Sequence, residues 1–233
     1  IAVPVTAGIY LNRVPTVSLA EGAWSVDFYI WFSWVGAELD PGETFAVVDG
    51  EILGKTLIER AERQGRQYAR YYVQATISKP FDGSRFPRDE HLLTIAIEDQ
   101  KRQSYQQVFV PDTTGTVVSS RVAVHGYELG AADIKVRAHG YKSRMGDPGL
   151  PDDYRATYSQ LVFGVMLQRH SWGIFWRLFL ALYISVGLAL LGLLLHSVGE
   201  RLAMAGTALF VAIINAETIA PLVPETASAT FVD

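Results

Sequence analysis

The residues between Leu178 and Pro224 constrain this chain most, because they are much poorer in charge than the rest of the sequence. The run from Leu178 to Leu195 has no charged side chain. A second apolar segment begins at Glu200 and ends near Pro224. Segments of this length and composition are typical of helices that cross a lipid bilayer. The sequence therefore predicts membrane helices at its carboxy-terminal end.

The second apolar segment has one stripe that differs from the rest of its surface. Positions spaced alternately by four and three residues lie on the same side of a helix. Here they are Ala203, Thr207, Phe210, Ile214, Glu217 and Pro221. Inside a membrane, the Thr207 hydroxyl and the Glu217 carboxylate need water or protein to face, and such an ionisable residue is a candidate functional site. We therefore predict a pore formed by several copies of this helix.

The amino-terminal part of the chain has the period of β-strands. Charges are spread evenly from Ile1 to Ser171, so a domain boundary is predicted at Trp172. In Gly22–Trp34, apolar and more polar positions alternate strictly, which indicates a strand with one core face. About eight or more such strands, separated by turn residues, are typical of a β-sandwich. We predict a mainly β sandwich over 1–171 and transmembrane helices over 172–233.

Three segments of the β domain need separate predictions. Ile52 to Arg63 has helical spacing through Leu53, Leu57 and Ala61, although Gly54 weakens a helix. Thr116 to His125 is predicted as a strand. Prolines between Lys79 and His91 predict an ordered loop, because proline is excluded from central strands.

Composition excludes several classes of function. The net charge of -4 argues against a nucleic-acid partner, since binding phosphates requires a clustered basic surface. Without cysteine, the chain has neither disulfides nor thiolate metal ligands. The glycine, serine and histidine motifs of common enzyme families are absent from the sequence. We expect a protein that is not an enzyme and needs no cofactor.

The loop Phe86-Pro87-Arg88-Asp89 and the alternating segment His91–Glu98 that follows it resemble a known signature. They are similar to the signature loop of the pentameric ligand-gated ion channels, the Cys-loop receptor superfamily. Val124–Leu129, Tyr158–Arg169 and Gly199-Glu200-Arg201 follow in the order found in that family.

The sequence also departs from that family. Cysteines do not flank the loop, which points to the prokaryotic branch. Arg88 replaces the usual Phe, and the usual proline near Leu180 is missing. The familiar Trp-x-Pro-Asp ligand loop is not found between Asp40 and Gln67.

The resemblance implies an architecture and partners. Residues 1–171 would form a nicotinic-receptor-like ligand-binding sandwich, extracellular or periplasmic, and identical subunits would assemble as a homopentamer in the bilayer. The family has four membrane helices per subunit and is multi-pass. Residues 172–233 would then hold the first two helices and the start of the third, in a truncated chain that stops at Asp233.

The resemblance also implies a pore lined by Glu200, Ala203, Thr207, Phe210, Ile214 and Glu217. Rings of Phe210 and Ile214 would close it by dewetting, and rings of Glu200 and Glu217 would favour cations over anions. Two alternatives to cation selectivity remain open. In one, Arg201 offsets the charge of Glu200; in the other, the Glu217 side chain bonds to its own backbone instead of facing the pore.

A second predicted site couples the sandwich to the membrane helices. The family pairs residues equivalent to Asp89 and Arg169 at this junction, next to Phe86 and Pro87 in the signature loop. A partly buried pair there would transmit movement of the loop to the first helix. The alternative is a purely structural ion pair.

The resemblance places ligand binding beneath the loop before the last strand. Here Asp147, Asp152, Asp153 and Tyr154 would meet a cationic or amine ligand, and the three aspartates are also candidate calcium ligands. A plain solvated turn is the alternative. Four histidines could sense protons: His91, His125, His139 and His170. The alternative is that they are ordinary surface histidines or histidines whose hydrogen bonds are satisfied.

A different class of function also fits the pattern of a β domain followed by apolar helices. The chain would then be a membrane-anchored sensor or adhesion module whose β-sandwich is held by a helical hairpin without a pore. It would be a monomer or dimer and would not conduct ions.

Overall fold

A computed structural model describes residues 2–36, 38–82, 89–143, 146, 148–169 and 172–219. Within these residues the chain forms ten strands and three helices. The strands are β1 (Val3–Ser18), β2 (Ala23–Trp34), β3 (Phe45–Val47), β4 (Gly50–Arg63), β5 (Arg66–Ser78), β6 (Glu90–Asp99), β7 (Gln107–Pro111), β8 (Val117–Val118), β9 (Glu128–Tyr141) and β10 (Ala156–Gln168). The helices are α1 (Pro41–Thr44), α2 (Trp172–Gly192) and α3 (Val198–Ile219). The prediction of a mainly β chain with a carboxy-terminal apolar helix is confirmed.

The strands form two sheets. In the larger sheet the order is β4-β5-β2-β1-β7, and β8 pairs with β1. In the smaller sheet it is β3-β6-β10-β9. The hairpin between β4 and β5 turns at Gln64 and Gly65, both with positive φ, as a two-residue type I′ turn requires.

One apolar core joins the two sheets. The even-numbered residues of β2, from Trp24 to Trp34, are all buried, as the alternation in the sequence predicts. The ring of Phe32 in the larger sheet lies 5.4 Å from that of Phe45 in the smaller sheet, measured between centroids. Since strand side chains alternate between faces, the other face of each sheet carries the polar and half-exposed residues.

The predicted helix over Ile52–Arg63 is wrong, because these residues belong to strand β4. This strand is at the edge of the larger sheet, and Leu53 and Leu57 are exposed on it. Its pairing with β5 shifts register between Ile52 and Gly54 and again between Leu57 and Glu59. Each shift moves the following side chains to the opposite face of the sheet. The apolar residues of β4 therefore do not alternate, and their spacing resembles that of a helix.

The predicted strand over Thr116–His125 is wrong for most of its length. Only Val117 and Val118 form a strand, and they pair with Tyr10 and Leu11 of β1. Turns follow, with one isolated bridge between Val124 and Tyr127. Pairing with β1 ends after two residues, so the apolar composition of this segment does not produce a longer strand.

The chain divides into two compact units. The first contains Ile1–Ser18, Ala23–Pro80 and His91–Leu167, and so holds both sheets. The second contains Leu19–Gly22, Phe81–Glu90 and Gln168–Asp233. The helix α2 begins at Trp172, where the composition of the sequence changes. Two loop segments from the amino-terminal part therefore group with the helices.

The helix α3 is the best candidate for a membrane span. Its most apolar 18-residue stretch has a mean hydropathy of 1.7, and its 22 residues at 1.5 Å each give a length of about 33 Å, enough to cross a hydrocarbon core. Among the described residues it alone meets this criterion; the described apolar part of α2, Phe179–Gly192, is shorter. The structure therefore supports one spanning helix, and a multi-pass protein stays a prediction.

Candidate functional site

The helix α3 has one side that packs and other sides that are exposed. Met204, Ala208 and Ile219 lie on the packed side, which is buried or half-buried. Met204 meets α2 at Gly192, where an added Cβ would lie 3.2 Å from the Cβ of Met204. The small residue at position 192 thus allows the two helices to approach closely.

The predicted stripe lies on an exposed part of α3. Its described members are Ala203, Thr207, Phe210, Ile214 and Glu217, and all five are exposed. The Thr207 hydroxyl donates to the carbonyl of Ala203 at 2.9 Å, so its hydrogen is used within the helix. In the described part of the chain, no group forms a hydrogen bond or ion pair with the Glu217 carboxylate. Pro221 lies outside the described residues.

The base of α3 carries Glu200 and Arg201. Glu200 is exposed in the first turn, where a carboxylate is stabilised by the helix dipole. Arg201 donates from Nε to the carbonyl of Leu195 at 2.6 Å, which ties its side chain to the α2–α3 connection. The guanidinium is therefore held toward the preceding loop.

The structure brings Asp89 and Arg169 together. Asp89 directly precedes β6, and Arg169 directly follows β10, the neighbour of β6 in the smaller sheet. The Arg169 Nε lies 2.8 Å from the Asp89 Oδ1, and the side chains are only 12% and 1% exposed. The Arg169 amide also donates to the Asp89 carbonyl at 3.1 Å. Phe86 and Pro87, predicted to act with this pair, lie outside the described residues.

The predicted ligand loop is described only in part. Asp152 and Asp153 are exposed, and Asp147 lies outside the described residues. The Tyr154 hydroxyl donates to the side chain of Gln103 at 3.0 Å and accepts from it at 2.7 Å. Within the described residues, no three acidic or histidine side chains lie close enough to hold a metal ion. Calcium binding that includes Asp147 stays a prediction.

The predicted proton-sensing histidines have different surroundings. His91 is buried, with its ring 5.9 Å from that of Tyr127, whereas His125 is exposed. His139 contacts the buried carboxylate of Glu98, with 2.6 Å between Nδ1 and Oε1. His170 lies outside the described residues. Of these histidines, His139 therefore has a direct contact with a buried acidic side chain.

Sequence reasoning missed an aromatic groove on the outer face of the larger sheet. It has a volume of about 600 Å³, and its lining includes Tyr10, Tyr29, Trp31, Tyr68, Arg70 and Asp112. These residues come from β1, β2, β5 and the connection after β7, so no short motif in the sequence marks them. The alternating pattern of β2 showed only that Tyr29 and Trp31 face away from the core.

Two glycines leave room for the ring of Trp31 at the centre of the groove. A Cβ at Gly8 would lie 2.3 Å from the Trp31 ring, and one at Gly115 would lie 2.9 Å from it. The Trp31 Nε1 donates to Asp112 Oδ2 at 3.1 Å, while the Gly115 amide donates to Oδ1 at 2.8 Å. The groove thus presents aromatic faces next to a fixed carboxylate, a combination that attracts organic cations.

Comparison of the sequence with protein-family models finds no matching family, and comparison with curated proteins finds no significant relative. The assignment of function therefore depends on the geometry described above and on the resemblance of the motifs.

Proposed function

We propose that this chain is a subunit of a cation-selective pentameric ligand-gated ion channel of the prokaryotic type. The observation that carries the proposal is the exposed stripe of α3, which combines Thr207, Phe210 and Glu217 on a helix long enough to span a bilayer. The resemblance of the signature loop to the channel family gives this stripe its specific interpretation.

The cost of burying charge explains why copies of the helix should assemble. A carboxylate at position 217 is unfavourable in hydrocarbon unless it meets water or a partner. Away from both the packed side and the stripe, the surface of α3 is apolar, with Leu209 and Ile213 exposed by 63% and 52%. In a ring, these residues would contact lipid and the stripes would enclose a shared water path.

Each position of the stripe then has a role. Phe210 and Ile214 are 65% and 49% exposed, and rings of them would form an apolar constriction that closes by dewetting. Thr207 would face the path one helical turn before Phe210. Rings of Glu200 and Glu217 would raise the local concentration of cations.

The β domain would supply the ligand site and the coupling to the pore. In this proposal it is a nicotinic-receptor-like sandwich on the extracellular or periplasmic side of a multi-pass protein. The groove around Trp31 and Asp112 is open, so a neighbouring subunit could complete it as a site for an organic cation. The buried pair of Asp89 and Arg169 would pass movement of the loop to α2.

Cysteine substitution along α3 tests this proposal, because the chain has no cysteine of its own. Single cysteines at Ala203, Thr207 and Ile214 should react with a charged, membrane-impermeant thiol reagent in liposomes. Cysteines at Leu209 and Ala216, which are exposed on another side of the helix, serve as matched controls and should react slowly. Equal reactivity on both sides would refute a pore lined by the stripe.

One observation favours the second function, a membrane-tethered sensor or adhesion module. Among the described residues only α3 qualifies as a membrane span, and one span is sufficient for a tether. In that case Glu217 would lie near the membrane surface rather than in a pore, and none of the cysteines at the apolar depth of the bilayer would react.

A further inference from the structure

A polar cluster on the outer face of the smaller sheet is used by neither function above. The Glu98 side chain is 7% exposed and contacts three donors. Tyr141 donates its hydroxyl to Oε2 at 2.9 Å, Gln160 donates from Nε2 to Oε1 at 2.5 Å, and His139 Nδ1 lies 2.6 Å from Oε1. The Glu98 charge is therefore satisfied inside the protein.

The three partners of Glu98, His139, Tyr141 and Gln160, line a cavity of about 430 Å³, within the size range of small-molecule sites. Strands β6, β9 and β10 provide the floor, and the segment Ser78–Pro80 provides part of the rim. Ile77, Ala96 and Val162 add an apolar wall. The cavity thus combines a polar floor with a surface suited to a short hydrocarbon chain.

Two cationic side chains line this cavity. Lys79 is half-buried, and its described hydrogen bonds go to neutral acceptors, the carbonyl of Leu92 and the hydroxyl of Thr94. Burial lowers the pKa of Lys79 because the charged ammonium loses solvation. Arg137 donates from Nε to the Gln160 side chain, and the N–H groups of its two terminal nitrogens can donate to a ligand.

Tyr141 stays a neutral donor in the cavity at physiological pH. Burial, together with its hydrogen bond to Glu98 and the nearby negative charge, raises its pKa to about 12. Because its hydroxyl hydrogen points to Glu98, the charges left to attract a ligand are those of Lys79 and Arg137. Asp49, an exposed carboxylate on the rim, would repel a second negative charge.

We propose that this cavity binds small organic monocarboxylates, with the ligand carboxylate at Lys79 and Arg137 and its hydrocarbon chain against Ala96 and Val162. An ionised acceptor would give the Lys79 ammonium a charged hydrogen-bond partner in addition to its neutral acceptors at Leu92 and Thr94, and charge-assisted hydrogen bonds are the stronger kind. The site lies entirely in the first compact unit and does not depend on the channel proposal.

Isothermal titration calorimetry of the purified full chain with butyrate tests this inference. We expect saturable binding, weakened about tenfold or more by Lys79→Gln and by Arg137→Gln, since each removes a charged hydrogen bond. Lys135→Gln is the matched control, because Lys135 shares a face of β9 with Arg137 but does not line the cavity and pairs with Asp133. This variant should bind butyrate like the unaltered chain.

Two further measurements keep the test decisive. Val162→Phe fills the cavity without changing charge and should also weaken butyrate binding, even if Lys79→Gln destabilises the fold. Butyramide, the neutral analogue, should bind much more weakly than butyrate. The inference is overturned if the unaltered chain does not bind butyrate saturably, if Arg137→Gln and Val162→Phe leave binding unchanged, or if butyramide binds equally well.

Discussion

Replacing Glu217 with lysine should reduce the ratio of cation to anion permeability by about tenfold or more, because a charged ring in a narrow path changes local ion concentrations by such factors. Every subunit of the proposed pentamer contributes position 217, so one substitution replaces all five side chains of the ring. Glu217→Gln, which only removes the charge, should give a smaller change in the same direction. Reversal potentials across planar bilayers in a salt gradient measure the ratio.

Glu51→Gln is a suitable control for the selectivity measurement. Glu51 is an exposed carboxylate on β4, so its removal changes net charge without changing the stripe of α3. Its reversal potential should match that of the unaltered chain. If Glu217→Lys leaves the reversal potential unchanged as well, the carboxylate does not face the conducting path.

The second large effect is expected at the buried pair of Asp89 and Arg169. Reversing one charge, in Asp89→Arg or Arg169→Asp, should destabilise the fold by about 3–5 kcal/mol, because a buried charge loses its partner. Combining both reversals should recover more than half of that loss. Denaturant unfolding in detergent, followed by tryptophan fluorescence, gives the free energies of unfolding.

The exposed pair of Asp133 and Lys135 provides the control for this cycle. Its side chains are 63% and 79% exposed, so the same reversals there should have no measurable effect. If the double variant is as unstable as the single variants, the contact between Asp89 and Arg169 does not stabilise the protein. If the double variant regains stability but its channel does not open, the pair also has a role in gating.

Local patterns in the sequence predicted much of the β domain. The strict alternation of Gly22–Trp34 identified both the strand β2 and its buried face, because period two is unmistakable when one side is entirely apolar. The absence of charge after Leu178 likewise marked the helices. In β4, by contrast, two register shifts hid the period of the strand.

The sites formed by distant residues could not be predicted in the same way. Trp31 and Asp112 are 81 positions apart, and Glu98 and His139 are 41 apart. Their contacts depend on which strands are neighbours, such as the parallel pairing of β1 with β7. The pair of Asp89 and Arg169 was predictable only because the resemblance of the loop supplied the pairing.

The number and arrangement of chains in the purified membrane complex test the central claim most directly. Native mass spectrometry and particle images should show five copies of the 25.7 kDa chain around one axis, with position 217 of every copy facing that axis. A monomer, a dimer, or a ring in which Glu217 faces lipid would contradict the account.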